Sequence, residues 1–97
     1  MKSVFISYDQ AHQENVIDVL NDSNVRGYTL FQQTGGRGTK TGEPHLGSHA
    51  WPSMNSSILA IVEDGQVEPL LARLKKLDED NQMLGLRAFV WTVEKTI

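Results

Sequence analysis

No cysteine occurs anywhere in the 97 residues of the chain. That absence removes disulfides, thiolate nucleophiles and cysteine-based zinc sites together. Basic residues are not in excess either. The formal net charge is −3, which argues against nucleic acid, whose binders usually present a basic patch. An RNA-recognition domain would need the strand motif Lys/Arg-Gly-Phe/Tyr-Gly/Ala-Phe-Val-x-Phe/Tyr; Arg26-Gly27-Tyr28 matches its first three residues, but Thr29, Leu30 and Gln33 depart from the rest. No apolar run approaches a membrane span, and the opening MKSVFISYDQ is too polar for a signal peptide. A cytoplasmic protein without direct membrane insertion is therefore expected. The chain has the size of one small domain. A monomer this small buries only about 60–65% of its unfolded surface, so self-association would help it.

What is present begins with a strand. Val4-Phe5-Ile6-Ser7-Tyr8 is β-branched and aromatic, as a central strand would be. Asp9 offers an acceptor for the free N–H groups of a helix start. From Gln10 to about Ser23, the residues Val16, Ile17, Val19 and Leu20 form one apolar stripe, with Glu14, Asp18 and Asn21 outside it. His12 shares the face of Val16 and reads as a half-buried packing residue. The run Asn21 to Asn24 then breaks the helix, because short polar side chains compete for backbone hydrogen bonds. Gly27 to Gln33 reads as a second strand at a sheet edge. Ser57 to Val62 is apolar on both parities, which predicts a strand buried on both faces.

A second amphipathic helix follows from Gln66 to Asp78, with Val67, Leu70, Leu71, Leu74 and Leu77 on one face. Pro69 is tolerable there because it falls near the first turn. Asp78-Glu79-Asp80 reads as a solvated helix end, and Asp78 to Gly85 as a polar connection. Leu86 to Val93 is the last strand, with Trp91 expected in the core or a subunit contact. The order is βαββαβ. It predicts an α+β ferredoxin-like sandwich, a four-stranded antiparallel sheet with two helices on one face, spanning residues 1–97 as a single domain. Phe5, Leu59, Ile61, Phe89 and Trp91 put bulky apolar side chains on both strand parities. Two helices on one face cannot cover them all, so the other face is expected to meet further copies of the chain.

Between the second and third strands lies the long segment 34–52, TGGRGTKTGEPHLGSHAWP. It holds five of the eight glycines, two of the three prolines and two of the three histidines. Loops of this length in compact domains tend to be functional or disordered. Gly35-Gly36-Arg37-Gly38 lets the backbone approach a ligand closely and turn its N–H groups into an anion nest. Arg37 and Lys40 would add contacts to phosphate or carboxylate; a solvated loop whose glycines relieve strain is the plainer alternative. His45, His49 and Glu43 are ligand types that suit a divalent metal, although Pro44 and Gly47 oppose the helix that would organise a His-x-x-x-His pair. Trp51 is large enough to anchor the loop base or to cover an interface, and anchoring is the expected role. Two catalytic look-alikes fail. A dinucleotide fingerprint needs glycine where Thr41 stands, and a P-loop needs glycine where Thr39 stands. Nothing sets a base beside a nucleophile, so the chain is not expected to be an enzyme.

Gly27-Tyr28-Thr29-Leu30 and Gly36-Arg37-Gly38-Thr39-Lys40-Thr41-Gly42, set in this element order, resemble the PII signal-transduction proteins and their PII-like relatives. The second stretch is similar to the start of that family's T-loop. The resemblance implies a homotrimer with inward-facing sheets. It also implies a regulatory role in which an adenine nucleotide or another small effector binds between subunits. The T-loop would then signal to a membrane transporter or enzyme target. Gly36, Arg37, Gly38 and Lys40 would lie at the loop base beside that cleft. Two departures stand out. The family's second glycine-rich loop, Thr-Gly-x-x-Gly-Asp-Gly-Lys, corresponds here to the acidic stretch Asp78 to Gly85, and basic residues after the last strand reduce to Lys95. A second resemblance is to the divalent-cation-tolerance (CutA-like) family, under which Glu43, His45 and His49 would bind a divalent metal ion. A structural oligomer without a ligand is the third reading.

Overall fold

The computed structural model describes residues 1–34, 55–81 and 84–97. Four strands run β1 (Lys2–Asp9), β2 (Tyr28–Thr34), β3 (Asn55–Val62) and β4 (Arg87–Thr92). The helices are α1 (Gln13–Asp22) and α2 (Val67–Asp80), each entered through one 3₁₀ turn, at Gln10–His12 and Asp64–Gln66. The sheet order is β2-β3-β1-β4 and every pairing is antiparallel. This is the ferredoxin-like βαββαβ arrangement, with β1 central and β2 at an edge as their compositions predict.

Alternation along the strands separates the two sheet faces. Val4, Ile6 and Tyr8 point to one side, in register with Ala60, Ile58 and Ser56 of β3. All three are fully buried, together with Val16 and Leu20 of α1 and Leu70 and Leu74 of α2. Both helices therefore cover this one face. Within α2, Val67 and Leu77 flank the buried pair and pack against the same cluster.

Local hydrogen bonds explain where the elements stop. The Asp9 carboxylate accepts from the Ala11 N–H at 2.9 Å, the cap that its sequence position suggests. It serves the 3₁₀ turn, and the α-helix proper starts only at Gln13. At the other end of α1 the break at Asn21 to Asn24 is a paired closure. Asn24 sits at φ 61°, its N–H donates to the Asn21 carbonyl at 3.0 Å, and the Val25 N–H donates to the Leu20 carbonyl at 2.8 Å. These two bonds satisfy orphan helix carbonyls, and Val25 and Leu20 both lie in the core.

Two expectations are corrected. The first concerns Asp78 to Gly85. Helix α2 runs on to Asp80, and Asp78 is not simply solvated, since its carboxylate accepts from the Leu86 N–H at 3.1 Å. Leu84 is fully buried, and its carbonyl accepts from the Asp9 N–H at 2.9 Å. The connection is thus tied to the end of β1 rather than merely polar. The second concerns β3. Ile58, Ala60 and Val62 are buried, but Ile61 is 48% exposed. The apolar residues of odd parity face away from the helices, where no helix among the described residues covers them.

Candidate functional site

The pairing of Thr34 with Asn55 fixes the ends of the 35–54 segment side by side at one end of the sheet. Asn55 is also paired with Asp9, so the last residue of β1 reaches the same row. A register irregularity between Phe31 and Thr34 marks the approach to that row, as β-bulges often do beside functional sites. Gly35, Gly36, Arg37, Gly38, Lys40, Glu43, His45, His49 and Trp51 all lie outside the described residues. Among the described residues no group of three or more histidine and carboxylate side chains could hold a metal ion.

Beneath the loop ends the sheet is polar and buried. Asp9, Asn55, Ser56 and Ser57 are each less than a tenth exposed. The row of Tyr8 and Ser56 lies directly below Asp9 and Asn55. Burial, with the Tyr28 phenol adding to it and the nearby Ser56 hydroxyl opposing it, pushes the Tyr8 phenol up to about 12. The Tyr8 hydroxyl donates to Gln13 Oε1 at 3.5 Å. Ser56 Oγ is close enough to act on that phenol, yet it makes no hydrogen bond of full geometry among the described residues. Hydrophobic pattern alone does not reveal this polar floor, because the run that signals the third strand starts only at Ser57. The signal available was the Asn55-Ser56-Ser57 triplet before an apolar run, in register with Tyr8 and Asp9.

The α2–β4 connection reaches the same end of the sheet through the Asp9–Leu84 bond. Gly85, within it, sits at φ 61°, a conformation that glycine accepts without the Cβ penalty. Arg87 follows, opposite Ser7, and donates to the Leu86 carbonyl at 2.7 Å. Three features thus converge at one end: both loop termini, the start of the α1 segment and the turn into β4.

The open face of the sheet runs from this end to the other. Phe5, Leu59 and Phe89 share one row across β1, β3 and β4, and Ile61 and Trp91 share another with Ser3. Phe31 is 44%, Phe89 57% and Trp91 49% exposed. Trp91 is therefore not a core residue of the single chain. At the β2 side of this face, Gly27, Thr29, Leu59 and Ile61, with Tyr28, line a depression of about 340 Å³. An exposed apolar surface of this kind marks an interaction site.

Fold and site together define a ferredoxin-like domain that presents a long segment at one sheet end and an uncovered apolar face. The chain belongs to the nitrogen regulatory protein P-II family, whose model matches residues 1–97. It is therefore of a regulatory, PII-like type. Among solved structures it is similar to CPII of Thiomonas intermedia bound to ADP, AMP and acetate. The identity there is 26%, the TM-score 0.73, and 92% of this chain and 81% of that one are covered. A form of the same PII-like protein bound to ADP, AMP and bicarbonate aligns at 26% identity and TM-score 0.72, over 92% and 86% of the two chains. A PII-like signalling protein of Thermus thermophilus shares the fold at TM-score 0.65 and 22% identity, over 93% and 83%. The sequence matches no curated protein. No helix among the described residues is long and apolar enough to cross a membrane.

Proposed function

We propose that the protein is a homotrimeric sensor of a small ligand that signals to a partner, a transporter or an enzyme, through the segment at 34–52, and that it is not itself an enzyme. The observation that carries this reading is the convergence at one sheet end. The register pair Thr34–Asn55 and the tethered α2–β4 turn place two chain segments beside each other there. A ligand held at that end would touch the base of the long segment directly. Membership of the P-II family and the adenine nucleotides named in the CPII complexes support an adenine nucleotide as the ligand. Gly35, Gly36, Arg37, Gly38 and Lys40 are then the ligand-binding residues, the glycines offering backbone N–H groups and the two cations pairing with phosphate.

The α2–β4 connection lends no positive charge before Arg87. It follows directly on Asp78, Glu79 and Asp80 at the end of α2, of which Asp78 is already bonded to Leu86. Each added phosphate brings negative charge without a new partner from that side. ADP and AMP are accordingly favoured over ATP. Calorimetric titration with AMP, ADP, ATP, cyclic AMP and bicarbonate tests the reading. Saturable nucleotide binding that Arg37→Ala weakens by about 1.5–3 kcal/mol is expected, the usual worth of a charged hydrogen bond. Heat evolved only with Zn²⁺, and lost in His45→Ala/His49→Ala, would replace it with the metal-binding alternative.

A further inference from the structure

A second concavity lies at the opposite edge of the sheet, on the helix side. Leu71, Leu74, Leu86 and Ala88 line a groove of about 280 Å³ between α2 and the start of β4, with Lys75, Asp78 and Arg87 among its lining residues. The walls are aliphatic and the charged groups are unequal. The Asp78 carboxylate already accepts from the Leu86 N–H, and Arg87 spends one N–H on the Leu86 carbonyl. Lys75 makes no ion pair among the described residues, whereas the neighbouring Lys76 is paired with Asp80 at 3.0 Å. The groove therefore offers an aliphatic slot, an ammonium with no ion pair among the described residues and the remaining guanidinium donors, on a chain whose net charge is −3.

We propose that this groove binds a small monocarboxylate with an apolar body. The body would lie against Leu71 and Leu86, and the carboxylate would meet Lys75 at the rim, with Arg87 as second donor. Charge complementarity selects the anion, and the aliphatic walls exclude a bare inorganic one, which would lose hydration there without gaining contacts. The site uses α2 side chains that the loop-end reading leaves idle, so the two can fail separately.

Isocaproate is a suitable probe, with the neutral isosteric amide isocaproamide as its control. Backbone and methyl shifts followed by NMR should show saturable binding of isocaproate, with Kd on the order of a millimolar for so few atoms. The perturbed signals should centre on Leu71, Leu86 and Ala88, with little response to the amide. Lys75→Met should weaken binding by about tenfold. Leu71→Trp, which fills the slot while leaving every charge in place, should abolish it. Equal binding of acid and amide, or isocaproate binding unchanged in both variants, would overturn the proposal. So would the absence of saturation with the wild-type spectrum intact.

Discussion

Tyr8 shows how much one buried side chain can set at the loop base. Its phenol is fully buried and its pKa is raised to about 12, chiefly by burial. The neutral form is the one the fold favours. Its stabilising share is complete below the unfolded value of about 10 and is lost as pH rises from there toward 12. Denaturation midpoints between neutral pH and pH 12 should fall more steeply for the wild type than for Tyr8→Phe, by on the order of 1–2 kcal/mol at the alkaline end. Parallel curves would show that the phenol does not titrate against the fold. Asp64 behaves in the opposite sense at the far end of the sheet. The chain's N-terminal ammonium donates to its carboxylate at 2.6 Å and holds that carboxyl below its ordinary range. Both groups of this pair are exposed, so it is a weak tether. None of these pairings is visible in a linear sequence, because each joins residues that only the register brings together.

Elements were more legible than contacts. Strands β1 and β4 and both helices follow from periodicity and composition, since burial against a common core imposes those patterns. The ends were less so. The 3₁₀ turn at Gln10–His12 looks helical in the sequence, because one turn carries no period of its own. Leu84 is buried although its short apolar cluster, Met83, Leu84 and Leu86, is interrupted by Gly85 and too brief to set a helical or strand period. The same locality makes the α1 terminus testable. Asn24 holds φ 61° and closes the helix. Replacing it by glycine should leave stability within a few tenths of a kcal/mol or raise it, whereas Asn24→Val should cost about 1–2 kcal/mol, because a β-branched side chain crowds the backbone at positive φ where asparagine does not. Urea denaturation distinguishes the two, and equal costs would mean that the Asn24 side chain, not its backbone angle, matters.

At the scale of the molecule, the open sheet face carries the strongest expectation. Burying side chains such as Phe89 and Trp91 is worth about 1.5–3 kcal/mol each, and the single chain leaves both about half exposed. A small domain gains much by sharing such a face. Light scattering should report a trimer at micromolar concentration, and Phe89→Glu/Trp91→Glu should yield a monomer with unchanged far-ultraviolet circular dichroism. A trimer that survives both charges would place its interface elsewhere. The glycines and the length of the long segment are what suggest a functional role for it, whereas its chemistry is not legible, because Arg37, Lys40 and the histidines carry no spacing that fixes a geometry and lie outside the described residues. The Thr34–Asn55 pair, which closes that segment at the sheet end, has a consequence for how the protein could change over time. The entropy of closing a loop grows only with the logarithm of its length, about 0.6 kcal/mol for each doubling. Lengthening or shortening the chain between these two anchors therefore carries little entropic cost. Under the proposed signalling role, a lineage could thus acquire a new target while keeping the same sheet and helices, with selection on the partner acting almost independently of selection on stability.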